Sequence, residues 1–411
     1  MEYIAVIPKS KSDANVKEFE KIELYVNQEI LPEDKILNDL SPSIHLISLF
    51  GIFPQDKNSD KKISQCHRFL SRTVQNIIHV FWLHILIVAF LLVIPIARPL
   101  RSNFTLNLMD MVIAIIRFVF HLKKDRIYST IRSIENFYFS VTNDTYKPMK
   151  NSLIALFCGC LLASLAMVIP SLEHLRVAGV MEDYSKNYMF GLNITKDESE
   201  FFYILPTVVA TIVVFCHHFI PMTSCIFICS IYLTFKKSID KFEEKIKADR
   251  LMKNVNINIY TALYNKMIEV LAEVEDLLSA STFFLYGCLL TNQLCVLTQI
   301  IANGGMLTHP ASITMQALVS IKNTVIFFSI TWIGSSVTIA MSNVGRQLKC
   351  MTVESRHDFE KLSLLLQNAC STSPSLTAWQ MFRLRKNLIL TMSSVMISYG
   401  MLLVQFTNQN K

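Results

Sequence analysis

At 411 residues, with 52% hydrophobic content, a mean hydropathy of +0.38 and a formal charge of +7, the chain is too apolar for a soluble domain of its size, whose apolar share including glycine is about 45–50%. It reads as an all-α integral membrane protein. In such a chain a surplus of Lys and Arg marks cytoplasmic loops, so no nucleic-acid partner is called for.

Residues 1–78 are mixed and charged, and the first 40 contain no apolar run bracketed by a basic start and a small-residue cleavage site. Within them LSPSIHLISLFGIFP, Leu40 to Pro54, is too short to cross and reads as a helix at the inner surface or packed on the bundle. Seven longer apolar stretches follow: His79–Ala97, Phe104–Leu122, Ser152–His174, Phe202–Phe235, Ser279–Ala302, Ala317–Val344 and Asn387–Phe406. The fourth and sixth are long enough to tilt or to extend beyond the bilayer. Ahead of the fifth, Met267, Val270, Leu271, Val274, Leu277 and Leu278 recur at helical spacing without a breaker, which predicts one helix projecting below the membrane. A second stripe, Leu348, Met351, Phe359, Leu362 and Leu366, precedes a Ser/Pro break at Ser371–Ser375.

Basic residues set the orientation. The amino-terminal tail and the 2–3, 4–5 and 6–7 connections hold 31 Lys plus Arg, and the opposite side holds 6. That split places the amino terminus in the cytoplasm and the carboxyl terminus outside, the reverse of a G-protein-coupled receptor. Arg117 and Lys322 fall inside spans; Arg117, near an inner end, is expected to snorkel to the interface. On this map no cysteine lies in an outer loop, so no external disulfide is expected. Asn193-Ile-Thr195 is a plausible glycan site in an outer loop, Asn103-Phe-Thr105 lies close to the membrane, and Asn143-Asp-Thr145 is cytoplasmic.

The last stretch, NLILTMSSVMISYGMLLVQF, carries Asn387, Thr391, Ser394, Ser398, Met401 and Gln405 within a helical arc of roughly 80°. Hydrocarbon satisfies none of those hydroxyls and amides, so the stripe must face protein or water: a neighbouring helix or an aqueous pore. Its end, Ser398-Tyr399-Gly-Met-Leu-Leu-Val-Gln405-Phe406, resembles the Thr-Tyr, five apolar residues, Gln-Phe signature closing insect gustatory receptors, with Ser for Thr. Leu376-Thr377-Ala378-Trp379 and Phe382-Arg383-Leu384 resemble that family's approach to its seventh span. The inverted orientation agrees.

The resemblance implies an insect chemoreceptor fold of seven transmembrane helices and a ligand-gated cation channel related to insect olfactory receptors. It would be a tetramer, homomeric or built with related subunits, in the plasma membrane of sensory neurons, opened by a small-molecule tastant to monovalent cations and calcium. The stripe is then pore lining, with Gln405 and Phe406 near the gate and Tyr399 packing the signature. A division follows into a cytoplasmic segment (1–78), a six-helix ligand-binding bundle (79–344), a cytoplasmic anchor joining subunits (345–385) and the pore helix (386–411). Leu263-Tyr264-Asn265 and Thr291-Asn292 faintly resemble the sugar-receptor branch, but Gly400 stands where that branch has Glu after Tyr, so sugar, bitter and other ligands stay open.

The ligand pocket implied by the resemblance lies in the outer half of the bundle. On the derived topology the polar residues there are Asp110, Asn292, Gln293, Gln299, Gln316, Lys322 and Asn323, with His217 and His218 near mid-depth. Intramembrane polar groups are costly unless paired; Asp110 and Lys322, opposite in charge at similar depth, are candidates to pair with each other or to touch ligand. Phe202, Tyr203, Tyr286 and Trp332 are aromatic candidates for stacking or packing. Adjacent His217 and His218 diverge by about 100° and make a poor metal pair, and Cys225 with Cys229 reads as packing. Neither a cofactor nor a metal is expected, and no HExxH, GxSxG, GxGxxG or Walker pattern argues for an enzyme.

Overall fold

The computed structural model describes residues 35–48, 65–93, 104–142, 148–177, 200–251, 257–302, 309–354 and 375–409. The helices among these are α1 (Lys35–Ser48), α2 (Gln65–Val93), α3 (Phe104–Leu122), α4 (Lys124–Val141), α5 (Lys150–Val177), α6 (Glu200–Leu251), α7 (Ile257–Ala302), α8 (Pro310–Glu354) and α9 (Asn387–Gln409), with one hairpin, β1 (Thr377–Ala378) and β2 (Phe382–Arg383), before the last. Each of the seven apolar stretches lies on one of these helices, apart from residues 94–97 of the first, which fall outside the described residues. Among the described residues four segments are long and apolar enough to cross a membrane: Lys150–His174, Thr207–Leu251, Ile259–Thr298 and Pro310–Cys350.

Helix α6 is the centre of the bundle. Of its apolar window 78% is buried, against 22% for α5, and it packs on α1, α4, α5 and α8. Its 52 residues run unbroken through Pro221, although proline supplies no N–H to the carbonyl four residues earlier, that of His217. Helix α7 packs on α3, α4, α8 and α9. Outward faces are apolar: Leu156, Leu162, Leu165 and Ile169 of α5 are more than half exposed, a surface that hydrocarbon covers and water does not.

The amphipathic amino-terminal piece packs on the bundle. Ile36, Leu40, Ile44 and Ile47 of α1 are buried against α4, α5 and α6. Two carboxylates lock it there by satisfying helix-start N–H groups from a distance: Glu135 Oε1 accepts the Ile36 N–H at 2.9 Å, and Asp39 Oδ1 accepts those of Met149 and Lys150 at 2.6 and 2.5 Å.

Several expectations change. Helix α4 occupies a connection that carried no predicted element; it buries Ile127, Ile131, Ile134 and Phe137, and Asp276 of α7 pairs with Lys123 (2.6 Å) and Arg126 at its start. The α7 stripe is continuous with the fifth span as predicted, and Met267, Val270, Leu271, Val274, Leu277 and Leu278 are all buried within the single chain, so that face packs inside the protomer. Arg117 does not snorkel: it is 1% exposed, its guanidinium 5.2 Å from the Phe118 ring centre, because α2 and α7 cover both sides of α3. Leu348 is buried, whereas Phe359, Leu362 and Leu366 lie outside the described residues, as do Asn103, Asn143 and Asn193.

Candidate functional site

Four helices bring buried polar groups to one end of the bundle. Asp110 enters near the start of α3, Ser171 near the end of α5, His217 and His218 from α6, and Lys322 from α8; all are under 9% exposed. Asp110 Oδ1 lies 3.0 Å from His217 Nδ1, so His217 donates through Nδ1 to the carboxylate. Lys322 Nζ lies 3.3 Å from His218 Nδ1. An ammonium only donates, so His218 accepts there and carries its proton on Nε2, which lies 2.9 Å from Ser171 Oγ. Ser171 in turn donates to the Met167 carbonyl at 2.7 Å. The two neighbouring histidines therefore hold opposite tautomers, their ring centres 6.0 Å apart. Nearer the helix ends, His174 Nδ1 meets Ser312 Oγ at 3.0 Å.

A second polar layer joins α7 to α8. Gln293 Nε2 donates to Ser320 Oγ at 2.6 Å, and Asn292 Nδ2 points to Asn323 Oδ1 at 3.5 Å. Gln316 is buried on the same face of α8 as Asn323; the side chain of Gln299 lies outside the described residues. The sequence flagged the charged and amide members of both layers. It missed the hydroxyl partners Ser171, Ser312 and Ser320, whose only signal was a small polar residue in an apolar run.

Tyr286 and Trp332 stand apart from these layers, beside the hairpin. The Tyr286 hydroxyl donates to Thr331 Oγ1 at 2.7 Å and its ring meets Phe327 and Phe382 edge-on. Trp332 is 57% exposed with Lys386 Nζ 4.4 Å above its ring. Phe202 and Tyr203 are helical, and their side chains lie outside the described residues.

Helix α9 rests on the edge of the bundle, chiefly against α7. Leu388, Met392, Met396 and Tyr399 are partly covered, the Tyr399 hydroxyl 3.5 Å from Thr298 Oγ1. A Cβ at Gly400 would stand 3.4 Å from Leu297, so a small residue lets the two helices close. Asn387, Thr391, Ser394, Ser398, Met401 and Gln405 are all exposed. Phe406 is helical, with its side chain outside the described residues. Among the described residues no group of three or more His, Cys, Asp or Glu could hold a metal ion.

No protein-family model and no curated protein matches the sequence. Solved structures do. The insect olfactory receptor OR5 from Machilis hrabei, in complex with eugenol, aligns at TM-score 0.58 and 11% identity, over 91% of this chain and 100% of that one. The same receptor described without a ligand aligns at 0.58 and 12% over the same shares. The chain thus has the fold of an insect olfactory receptor.

Proposed function

We propose that this chain is an insect chemoreceptor of the gustatory type, a tastant-gated, non-selective cation channel in the plasma membrane. The observation that carries the proposal is the exposed polar stripe of α9: five hydroxyls and amides on a helix that the protomer holds by its other face. Within a bilayer such a stripe needs water or protein beside it. Symmetry copies around a common axis, in a homotetramer or with related subunits, supply both. Asn387, Thr391, Ser394, Ser398 and Gln405 then line the path, Met401 and Phe406 narrow it near Gln405, and the absence of an acid from the stripe implies weak selectivity among monovalent cations, with calcium admitted.

In this reading the seven apolar stretches are seven crossings, with the amino terminus inside by the 31-to-6 split of basic residues. Residues 79–344 form the ligand-binding bundle, 345–385 an anchor below it and 386–411 the pore helix. The tastant enters the outer cluster of Asp110, His217, His218 and Lys322, with Asn292, Gln293, Gln299 and Asn323 alongside. It opens the pore to the extent that it binds the splayed state more tightly than the closed one. In cells expressing the chain, Gln405→Ala is expected to change conductance or raise leak at unchanged surface expression; identical currents would remove Gln405 from the gate. Calcium imaging against sugars and bitter compounds identifies the tastant class.

One alternative has a specific observation behind it. Two solved structures that share this fold are of an olfactory receptor, one in complex with eugenol, which favours an odorant-binding receptor; the variant of that reading in which a shared co-receptor is needed is separated by expression. Currents from the chain expressed alone support the gustatory reading, and currents only with a co-receptor support the other.

A further inference from the structure

Between α7, α8 and α9 lies a half-open cleft of about 330 Å³. Leu289 and Leu290 of α7, Phe327 and Phe328 of α8 and Met392 and Met396 of α9 form most of its apolar wall, and the volume is at the lower end of ligand pockets, about 300–1,000 Å³. Gln293 and Asn323 are the polar exceptions in that lining, with Thr324 and Ser393. Both hydroxyls donate to carbonyls of their own helices. Each amide uses one atom elsewhere, Gln293 Nε2 on Ser320 Oγ and Asn323 Oδ1 on Asn292 Nδ2. Gln293 Oε1 and Asn323 Nδ2 remain, shielded from solvent and without a hydrogen-bond partner; Asn323 as a whole is 2% exposed.

We infer that this cleft binds an apolar molecule carrying a lone hydroxyl, held by Gln293 Oε1 and Asn323 Nδ2. One acceptor and one donor in an apolar wall are what a hydroxyl answers: its hydrogen goes to Gln293 Oε1 and its oxygen accepts from Asn323 Nδ2. Leaving either atom unanswered costs about 1–3 kcal/mol, which gives the site its specificity. Ile397, at the open side, is more than half exposed, and the apolar wall offers a charged group no counter-ion, so a charged ligand is excluded. Two carriers of the same chemistry fit: a small phenol or a membrane sterol. The flexible thioethers of Met392 and Met396 fit themselves to the body of either. An occupant touches the bundle and α9 at once and so pins α9 against α7 and α8. The cleft shares Gln293 and Asn323 with the amide layer beside the tastant site but none of Asp110, His217, His218 and Lys322, and its occupancy does not depend on the channel reading.

The test is saturable binding of tritiated 4-propylphenol to the full-length chain in phosphatidylcholine nanodiscs. Binding is expected to saturate. It should weaken about tenfold for 4-propylanisole, whose ether accepts but cannot donate, and about tenfold in Asn323→Leu. Met396→Trp fills the cleft from α9 and should abolish the saturable component, whereas Asp110→Asn should leave it unchanged. Loss of phenol binding when cholesterol is included assigns the hydroxyl site to the sterol; unchanged binding assigns it to the phenol. Partition without saturation, equal uptake of phenol and anisole, or loss in Asp110→Asn with retention in Met396→Trp would overturn the inference, the last by moving the ligand to the outer cluster.

Discussion

His217 and His218 are neighbours in sequence, yet one serves a carboxylate on α3 and the other an ammonium on α8, because successive residues on a helix point about 100° apart. Asp110 and Lys322 were legible as buried opposite charges of similar depth; that two imidazoles stand between their helices was not, since the facing of α6 is a tertiary fact. Asp110→Ala removes the acceptor of the His217 Nδ1–H and should cost about 1–3 kcal/mol, read as a lower melting temperature of the purified chain, with Asp110→Asn recovering part of it. Glycine offers a second residue-level test. A Cβ on Gly334 would lie 2.8 Å from Leu384 Cδ1, and Leu384 is fully buried, so Gly334→Ala should destabilise by about 1–3 kcal/mol through overpacking, outweighing the roughly 1 kcal/mol that alanine gains in helix propensity. At Gly345, where nothing lies within 4 Å, the same substitution meets no clash and should be neutral or stabilising. Arg117 shows the limit of depth alone: five residues from a helix end is near enough to reach water only if no neighbouring helix closes the route.

The approach to α9 was read as a motif, and it is a folded hairpin. The hairpin Thr377–Arg383 turns through two left-handed residues, Trp379 (φ 47°) and Gln380 (φ 57°), a conformation that costs non-glycine residues about 1–2 kcal/mol each. Packing offsets that cost. The Trp379 N–H donates to the Ser279 carbonyl at 3.2 Å, Thr377 Oγ1 bonds Glu275, and the indole meets Phe283 and Phe284 at 5.2 and 5.3 Å between ring centres. The hairpin thereby ties the base of α9 to the middle of α7. Trp379→Ala forfeits two ring pairs of about 0.5–1.5 kcal/mol each; tryptic cleavage at Arg383, Arg385 and Lys386 should become several-fold faster. No periodicity announces a two-residue strand, and Trp and Gln are poor left-handed formers, so this element was visible only as a family-like string. A helix at Leu40–Pro54 was legible from an apolar run too short to cross; α1 starts earlier, at Lys35, and residues 49–54 lie outside the described residues. Its place on protein was decided by Glu135 and Asp39, which supply helix-start hydrogen bonds.

At the scale of the whole molecule, an apolar exterior fits a chain that finishes its structure in a membrane, and the proposed assembly with symmetry copies would cover the polar stripe of α9. The orientation is testable directly: a glycan acceptor site added at the carboxyl terminus should be modified in cells, and one added at the amino terminus should not. The opposite pattern would restore the G-protein-coupled arrangement. Composition, the seven apolar runs and the distribution of basic residues are local quantities, so the sequence alone determined that the protein is helical, that it belongs in a bilayer, and which of its residues are polar at a depth where polarity is costly. Which buried group meets which, that the α7 stripe packs within one protomer, and that a cleft with two unanswered amide atoms opens beside α9 were decided only by the tertiary structure, because each depends on how helices far apart in sequence rotate and close on one another.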